Sequence, residues 1–218
     1  METLDYKKAY KDLYLPKTTP SIIQVPSMNF VMIQGNGNPN EEGGEYAKAL
    51  KVLYGISYTI KMSKKGSRKI NGYFEYVVPP LEGFWWMEGI KGIDYSQKEN
   101  FHWYAFIRLP EFVDEEVFQW ACIQARTKKP ELNTSLAKFV TLEEGLCVQI
   151  MHKGPYDEEP ASVEKMHAYL QMEGYELDFD STYASGQPRM HHEIYLSDPN
   201  KTTPDRLKTI IRHPVRRK

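Results

Sequence analysis

One part of this chain is written twice. IQGNGNPNEE (33–42) lies over IMHKGPYDEE (150–159), each a strand, a glycine-containing turn and an acidic pair before a helix. WYAFIRLP (103–110) likewise lies over HEIYLSDP (192–199), each a strand closed by proline. Identities are few, but the order strand–helix–strand–strand recurs, with a longer insert in the first copy. The duplication predicts an α+β fold: tandem β-α-β-β modules related by a pseudo-two-fold axis, with antiparallel sheets and helices on one side. It also predicts a central cleft at the module interface, the usual place for a small-molecule pocket. We divide the chain into a lead helix and arm (1–28) and a single domain (29–218), with module one about 29–127 and module two about 140–218.

Local patterns fill this plan. A short helix is expected around Tyr6–Leu13, then an arm punctuated by Pro16, Pro20 and Pro26, then a strand over Asn29–Gln34. In Glu45–Met62 the apolar positions Tyr46, Ala49, Leu53, Ile56 and Ile60 fall on one stripe at helical period. Phe74–Val78, Phe84–Met87 and Trp103–Leu109 read as strands. Asp114 reads as the N-cap of a helix reaching about Arg126, with Glu115 and Glu116 in its first turn. In the second half, strands are expected over Leu146–His152, Ser181–Ser185 and His191–Leu196, and a helix over Pro160–Gln171. Pro204 begins a last short helix toward Arg212.

Composition narrows the function. Twenty-eight Lys and Arg against 29 Asp and Glu leave a net charge of −1, so no global field draws the chain to nucleic acid or to an anionic membrane. The basic stretch KMSKKGSRK and the RRK tail have no interleaved aromatics and read as solvated turn and terminus. No run approaches the ~20 apolar residues of a membrane helix, and the N-terminus has no apolar signal core. Two cysteines make no disulfide framework, so a reduced, cytoplasmic protein is expected, monomeric or weakly dimeric. GNGNPN has the wrong spacing for a dinucleotide loop, and Glu41 and Glu42 beside it would repel phosphate. His191 and His192 are adjacent on a strand and point apart, so no metal is expected, nor any cofactor.

What remains is an excess of aromatic residues: Tyr 15, Phe 9 and Trp 4. On the strand His191–Leu196, Ile194 and Leu196 share one face, suited to packing on a helix, while His191, Glu193 and Tyr195 share the other. On Trp103–Leu109, Ala105 and Ile107 form the apolar face and His102, Tyr104 and Phe106 the second, which sets Glu193 opposite Tyr104 by pseudo-symmetry. Burying Glu193 would cost several kcal/mol unless it is hydrogen-bonded or used. A solvent-facing sheet surface with ordinary alternation fits the spacing equally well. In FWW (84–86), Trp85 and Trp86 point to opposite faces, one toward the core and one toward the cleft; both could equally be core.

The segments VPPLEGFWW (78–86), FIRLPEFV (106–113), EGLCVQIMHKGPYDEEP (144–160) and HHEIYLSDP followed by LKTIIRHPV, in that order, resemble the GyrI-like small-molecule-binding family over nearly the whole chain. The resemblance is to its stand-alone branch, which includes the cyclopropanoid cyclopropyl hydrolases. It implies that each β-α-β-β unit is an SHS2 module, and that Glu193 matches a cleft glutamate which meets lipophilic, often cationic, ligands. It further implies opening of the strained ring of DNA-alkylating compounds inside an aromatic cage, drawn here from Trp85 or Trp86, Trp103, Tyr104, Phe106, Tyr156 and Tyr195. Glu193 would orient or deprotonate the water, and Tyr104 or His191 would donate to the carbonyl oxygen where charge develops. Two alternatives stand: sequestration of cationic lipophiles without turnover, and masking of a protein partner such as a topoisomerase.

Overall fold

A computed structural model describes residues 3–66, 68–90, 92–183, 186 and 188–218. Two short helices, α1 (Tyr6–Ala9) and α2 (Lys11–Tyr14), precede β1 (Ser21–Asn36), α3 (Glu45–Lys61), β2 (Leu81–Trp86), β3 (His102–Arg108) and α4 (Glu115–Lys128). The second half holds β4 (Lys138–Lys153), α5 (Glu159–Glu173), β5 (Tyr175–Leu177), β6 (His191–Tyr195) and β7 (Lys208–Arg217). The Asp114 side chain caps α4 by accepting from the Val117 N–H, as the sequence predicts. No helix among the described residues is long and apolar enough to cross a membrane.

The strands pair antiparallel in the order β4-β1-β3-β2-β6-β7, and β7 returns to β4, so six strands close into one barrel-like sheet with β5 on the end of β7. Exchanging β1 with β4, β2 with β6 and β3 with β7 leaves this order unchanged. The duplication is therefore visible, but it pairs β3 with β7 and β2 with β6, not β3 with β6 as the overlay of 103–110 on 192–199 assumed. Closure also removes the sheet edges that separate antiparallel sheets would expose.

Helices α3, α4 and α5 lie outside the barrel. Leu53 and Ile56 of α3 and Phe118 of α4 pack in one cluster with Val31, Ile33, Ala105 and Ile107, while Met166 and Leu170 of α5 pack with Val148, Ile150, Ile211 and Val215. Phe30, Met32, Phe84, Phe106, Ile194 and Ile210 fill the interior. Ile194 therefore faces inward rather than toward a helix, and the row of Glu193 faces outward.

Other expectations are corrected. The strand expected at Phe74–Val78 is reduced to a Leu4–Tyr76 bridge, because Tyr73, Phe74 and Tyr76 turn their rings onto Phe112 ahead of Pro79–Pro80. The lead helix breaks at Tyr10, and the extended arm joins β1, paired with β4 from Ser21. Of the strand expected over Ser181–Ser185, a Thr182–Pro188 bridge is present, and residues 184–185 lie outside the described residues. The last helix is one turn, Pro204–Arg206, followed by β7. TIIRHPV alternates Ile210 inward and Ile211 outward, and its β-branched residues favour a strand.

Inside the barrel lies a charged network that the alternation gave no reason to expect. His192 Nδ1 is 2.9 Å from Glu144 Oε2 and its Nε2 3.0 Å from Glu82 Oε2, while Arg212 Nη1 donates to Glu144 Oε1 at 2.8 Å. Burial pushes the Glu144 carboxyl up, but the charges of His192 and Arg212 and their hydrogen bonds outweigh it and bring it down to about 2. A carboxylate depressed in the folded state stabilises the fold above its unfolded value of about 4.3, and that contribution fades as pH falls from there toward 2. Urea midpoints are expected to fall over that window by the equivalent of a few kcal/mol, and the fall should be smaller in Glu144→Gln than in the wild type.

A candidate ligand cleft over the junction of the two halves

Strands β2 and β6 pair where the two halves meet, and a cavity of about 760 Å³ opens over that pairing. Trp85 comes from β2, Glu193 and Tyr195 from β6, Tyr46 from the start of α3, Tyr156 from the turn before α5, and Tyr95 from the insert between β2 and β3. Tyrosines and Trp85 surround the Glu193 carboxylate, with Asp157 and Asp198 also in the lining, in a pocket of aromatic walls and polar groups.

The polar groups form a chain. Trp85 Nε1 donates to the Tyr195 hydroxyl at 2.9 Å, and that hydroxyl donates to Glu193 Oε2 at 2.7 Å. Glu193 Oε1 is 2.9 Å from His191 Nε2, whose Nδ1 is 2.7 Å from His213 Nε2. A second carboxyl, Glu159 at the start of α5, is fully buried and accepts from the Tyr95 hydroxyl at 2.9 Å.

Two carboxyls in contact do not both ionise. Burial and then the charge of Glu193 push Glu159 well above the usual range, so it holds a proton. Burial pushes Glu193 up as well, but the hydrogen bond and charge of His191 and the hydrogen bond of Tyr195 bring it below the usual range, so it is ionised. A buried acid thus stands behind the buried base that lines the cavity. Burial raises Tyr156 to about 12, keeping its phenol neutral and able to donate.

Gly83 pairs with Glu193 across β2 and β6. A Cβ there would stand 2.7 Å from Trp85 Nε1 and 3.3 Å from the Tyr195 hydroxyl. Gly83→Ala is expected to displace both and weaken binding of a planar aromatic ligand about tenfold, or about 1.4 kcal/mol, read by quenching of tryptophan fluorescence.

Of the residues singled out from sequence, Trp85, Tyr156, Glu193 and Tyr195 meet in the cavity, and His191 stands directly behind Glu193. Trp103 is buried under Tyr46, edge to face at 5.0 Å, and supports the wall without lining it. Trp86 and Tyr104 stack on each other on the opposite face of the sheet, and Phe106 packs against Phe84 and His192 inside the barrel. The register decides this: Gly83 pairs with both Glu193 and Ala105, so Ala105, not Tyr104, lies in the row of Glu193. Other residues of the site were missed. Tyr46 heads the α3 stripe and Glu159 closes the acidic pair before α5, so both carried a signal; Tyr95, inside an irregular insert, carried none.

Glu159, His191 and Glu193 offer ligand atoms within 4.8 Å of one another, and carboxylate and imidazole are divalent-cation ligand types. With Glu159 protonated and His191 hydrogen-bonded to Glu193, however, they stand as an acid, an imidazole and a base in contact.

Residues 18–216 match the family model of the GyrI-like small molecule binding domain. The chain belongs to the GyrI-like family. The GyrI-like chain is 47% identical to a solved structure of a hydrolase from Listeria innocua, with a TM-score of 0.86 over 98% of this chain and 100% of that one. It is 49% identical to an uncharacterized conserved protein from Listeria innocua, with a TM-score of 0.89 and the same coverage. The EcmrR C-terminal domain shares the fold at a TM-score of 0.52 over 92% of this chain and 98% of that one; at 13% identity the likeness extends to the fold alone. Comparison with curated proteins gives no significant match.

Proposed function

We propose that this GyrI-like chain binds flat hydrophobic xenobiotics in its cleft and hydrolyses electrophilic cyclopropanoid DNA-alkylating compounds by adding water. The observation that carries the reading is an ionised, buried Glu193 facing an aromatic-walled cavity, with neutral phenols around it. The hydrolase from Listeria innocua supports an enzymatic role. A cyclopropane conjugated to a dienone is already electrophilic. The water oxygen bonds to the ring carbon as its proton passes to Glu193; the strained C–C bond breaks, and its electron pair moves through the dienone to the carbonyl oxygen. Tyr156, a neutral donor, stabilises the phenolate that forms there. Trp85, Tyr46 and Tyr195 hold the planar ligand and exclude bulk water.

The exchange symmetry of the strands supports reading the halves as two SHS2 modules in one ligand-binding domain, and we place its work in the cytoplasm, on small molecules rather than nucleic acid. A carboxylate ringed by aromatic faces also suits a cationic lipophile, which favours sequestration as the second reading. Incubation in ¹⁸O-water separates the two. Hydrolysis predicts a ring-opened product carrying one solvent oxygen, whereas recovery of the alkylator unchanged, with tight binding of cationic dyes, selects sequestration.

A further inference from the structure

Behind Glu193 lies a second cavity of about 340 Å³, lined by Tyr95, His167, Phe179, His191 and His213 and bordered by the exposed Glu164 and Asp180. Tyr95 and the β6 residues form the partition, since Tyr95 lines both cavities, Glu193 the first and His191 the second. The hydrogen-bonded chain crosses this partition: Glu193 Oε1 to His191 Nε2 at 2.9 Å, then His191 Nδ1 to His213 Nε2 at 2.7 Å. His213 Nδ1 is buried and makes no hydrogen bond among the described residues, on a ring that lines the second cavity. A flat ligand that fills the cleft shuts Glu193 off from bulk water on its own side, so a proton taken from the attacking water needs another exit.

The geometry points to a proton relay that connects Glu193, through His191 and His213, to water in the second cavity while ligand fills the first. The inference rests on reading Glu193 as the base. Export starts with both rings as Nδ1–H tautomers: the Glu193 O–H proton moves to His191 Nε2, the His191 Nδ1 proton to His213 Nε2, and the His213 Nδ1 proton to cavity water. Three N–H or O–H bonds break, three form, and one proton has left; both rings end as Nε2–H, the state in which His191 donates to the ionised Glu193, and turning of both rings resets them before the next proton. Groups around His213 fit the role. Burial, followed by neighbouring His191 and His167, holds it well below the ordinary histidine range, so it passes protons as a neutral ring. His167 of α5 lies 5.8 Å from it ring to ring, Phe179 lies 5.1 Å away, and Glu164 and Asp180 sit at the cavity edge. His213 touches no substrate and acts through His191, so it is a positioning residue.

His213→Ala opens space toward the second cavity. Its kcat is expected to fall about tenfold or more with KM unchanged, its solvent deuterium isotope effect to rise, and free imidazole to restore the rate. A wild-type rate in the folded variant overturns the relay, as does a loss that imidazole does not repair. If His213→Ala does not fold, His213→Gln keeps the bulk without a ring that relays, and the same kcat loss is expected; a wild-type rate there again overturns it. Should the wild type show no turnover, the base reading of Glu193 has failed, and the relay is read in the resting protein. Nitrogen–nitrogen coupling across the His191–His213 hydrogen bond, seen by ¹⁵N NMR in the wild type and lost in His213→Gln, supports it; its absence in the wild type overturns it.

Discussion

Glu193→Gln is expected to lower turnover of a cyclopropanoid electrophile by roughly 10²–10⁴-fold, the range general-base help supplies. The amide keeps the shape and still accepts a hydrogen bond, so the cavity walls stay in place, but it takes no proton from water. Binding of a neutral planar ligand should therefore be retained, while binding of a cationic one weakens with loss of the carboxylate. Acid titration of the wild type gives a second reading of the same group. A base held below the usual range stays ionised below about pH 4.3, so the acid limb of the rate should lie lower than for an ordinary glutamate. An acid limb at or above that value would show that His191 and Tyr195 do not hold Glu193 below the usual range.

The largest stability effect is expected from Arg212→Met. Arg212 is 1% exposed; it donates to Glu144 at 2.8 Å, to the Leu13 carbonyl at 3.0 Å and to Gln149 at 3.1 Å. It thus ties the lead segment to the barrel interior as well as neutralising a buried carboxylate. Removing one partner of a buried ion pair leaves the other charge uncompensated, at about 3–5 kcal/mol. Urea unfolding should show that loss as a lower midpoint at unchanged slope. Adding Glu144→Gln should recover part of it, because the stranded charge is then gone. A single variant within 1 kcal/mol of wild type would show that the network contributes little to stability.

Strand alternation made the two faces of β6 legible in the sequence, including the divergence of His191 from His192. It did not say which face lies inside, and the one-residue phase on β3 was read the wrong way. Ala105 and Ile107 look like a core face and do pack on helices, but that puts Tyr104 and Phe106 inside a closed barrel rather than in a cleft. Closure is not legible from local pattern, because it depends on β7 meeting β4, and β7 was hidden by a proline that also suits a helix start. Tyr195 was found because it shares a face of its strand with Glu193; Trp85 was one of two candidates in FWW, and the pairing of β2 with β6 selects it. Glu159 was overlooked because an acidic residue at a helix start is satisfied by the helix dipole in most contexts; its full burial is a tertiary fact.

The central claim is that the cleft turns its ligand over rather than holding it. Incubating the protein with a large molar excess of a spirocyclopropyl-dienone alkylator and counting product by mass spectrometry tests it directly. The account predicts many molecules of water-adduct product per protein chain and almost none from Glu193→Gln. One molecule of unchanged alkylator retained per chain, with no product above the protein-free control, would contradict it.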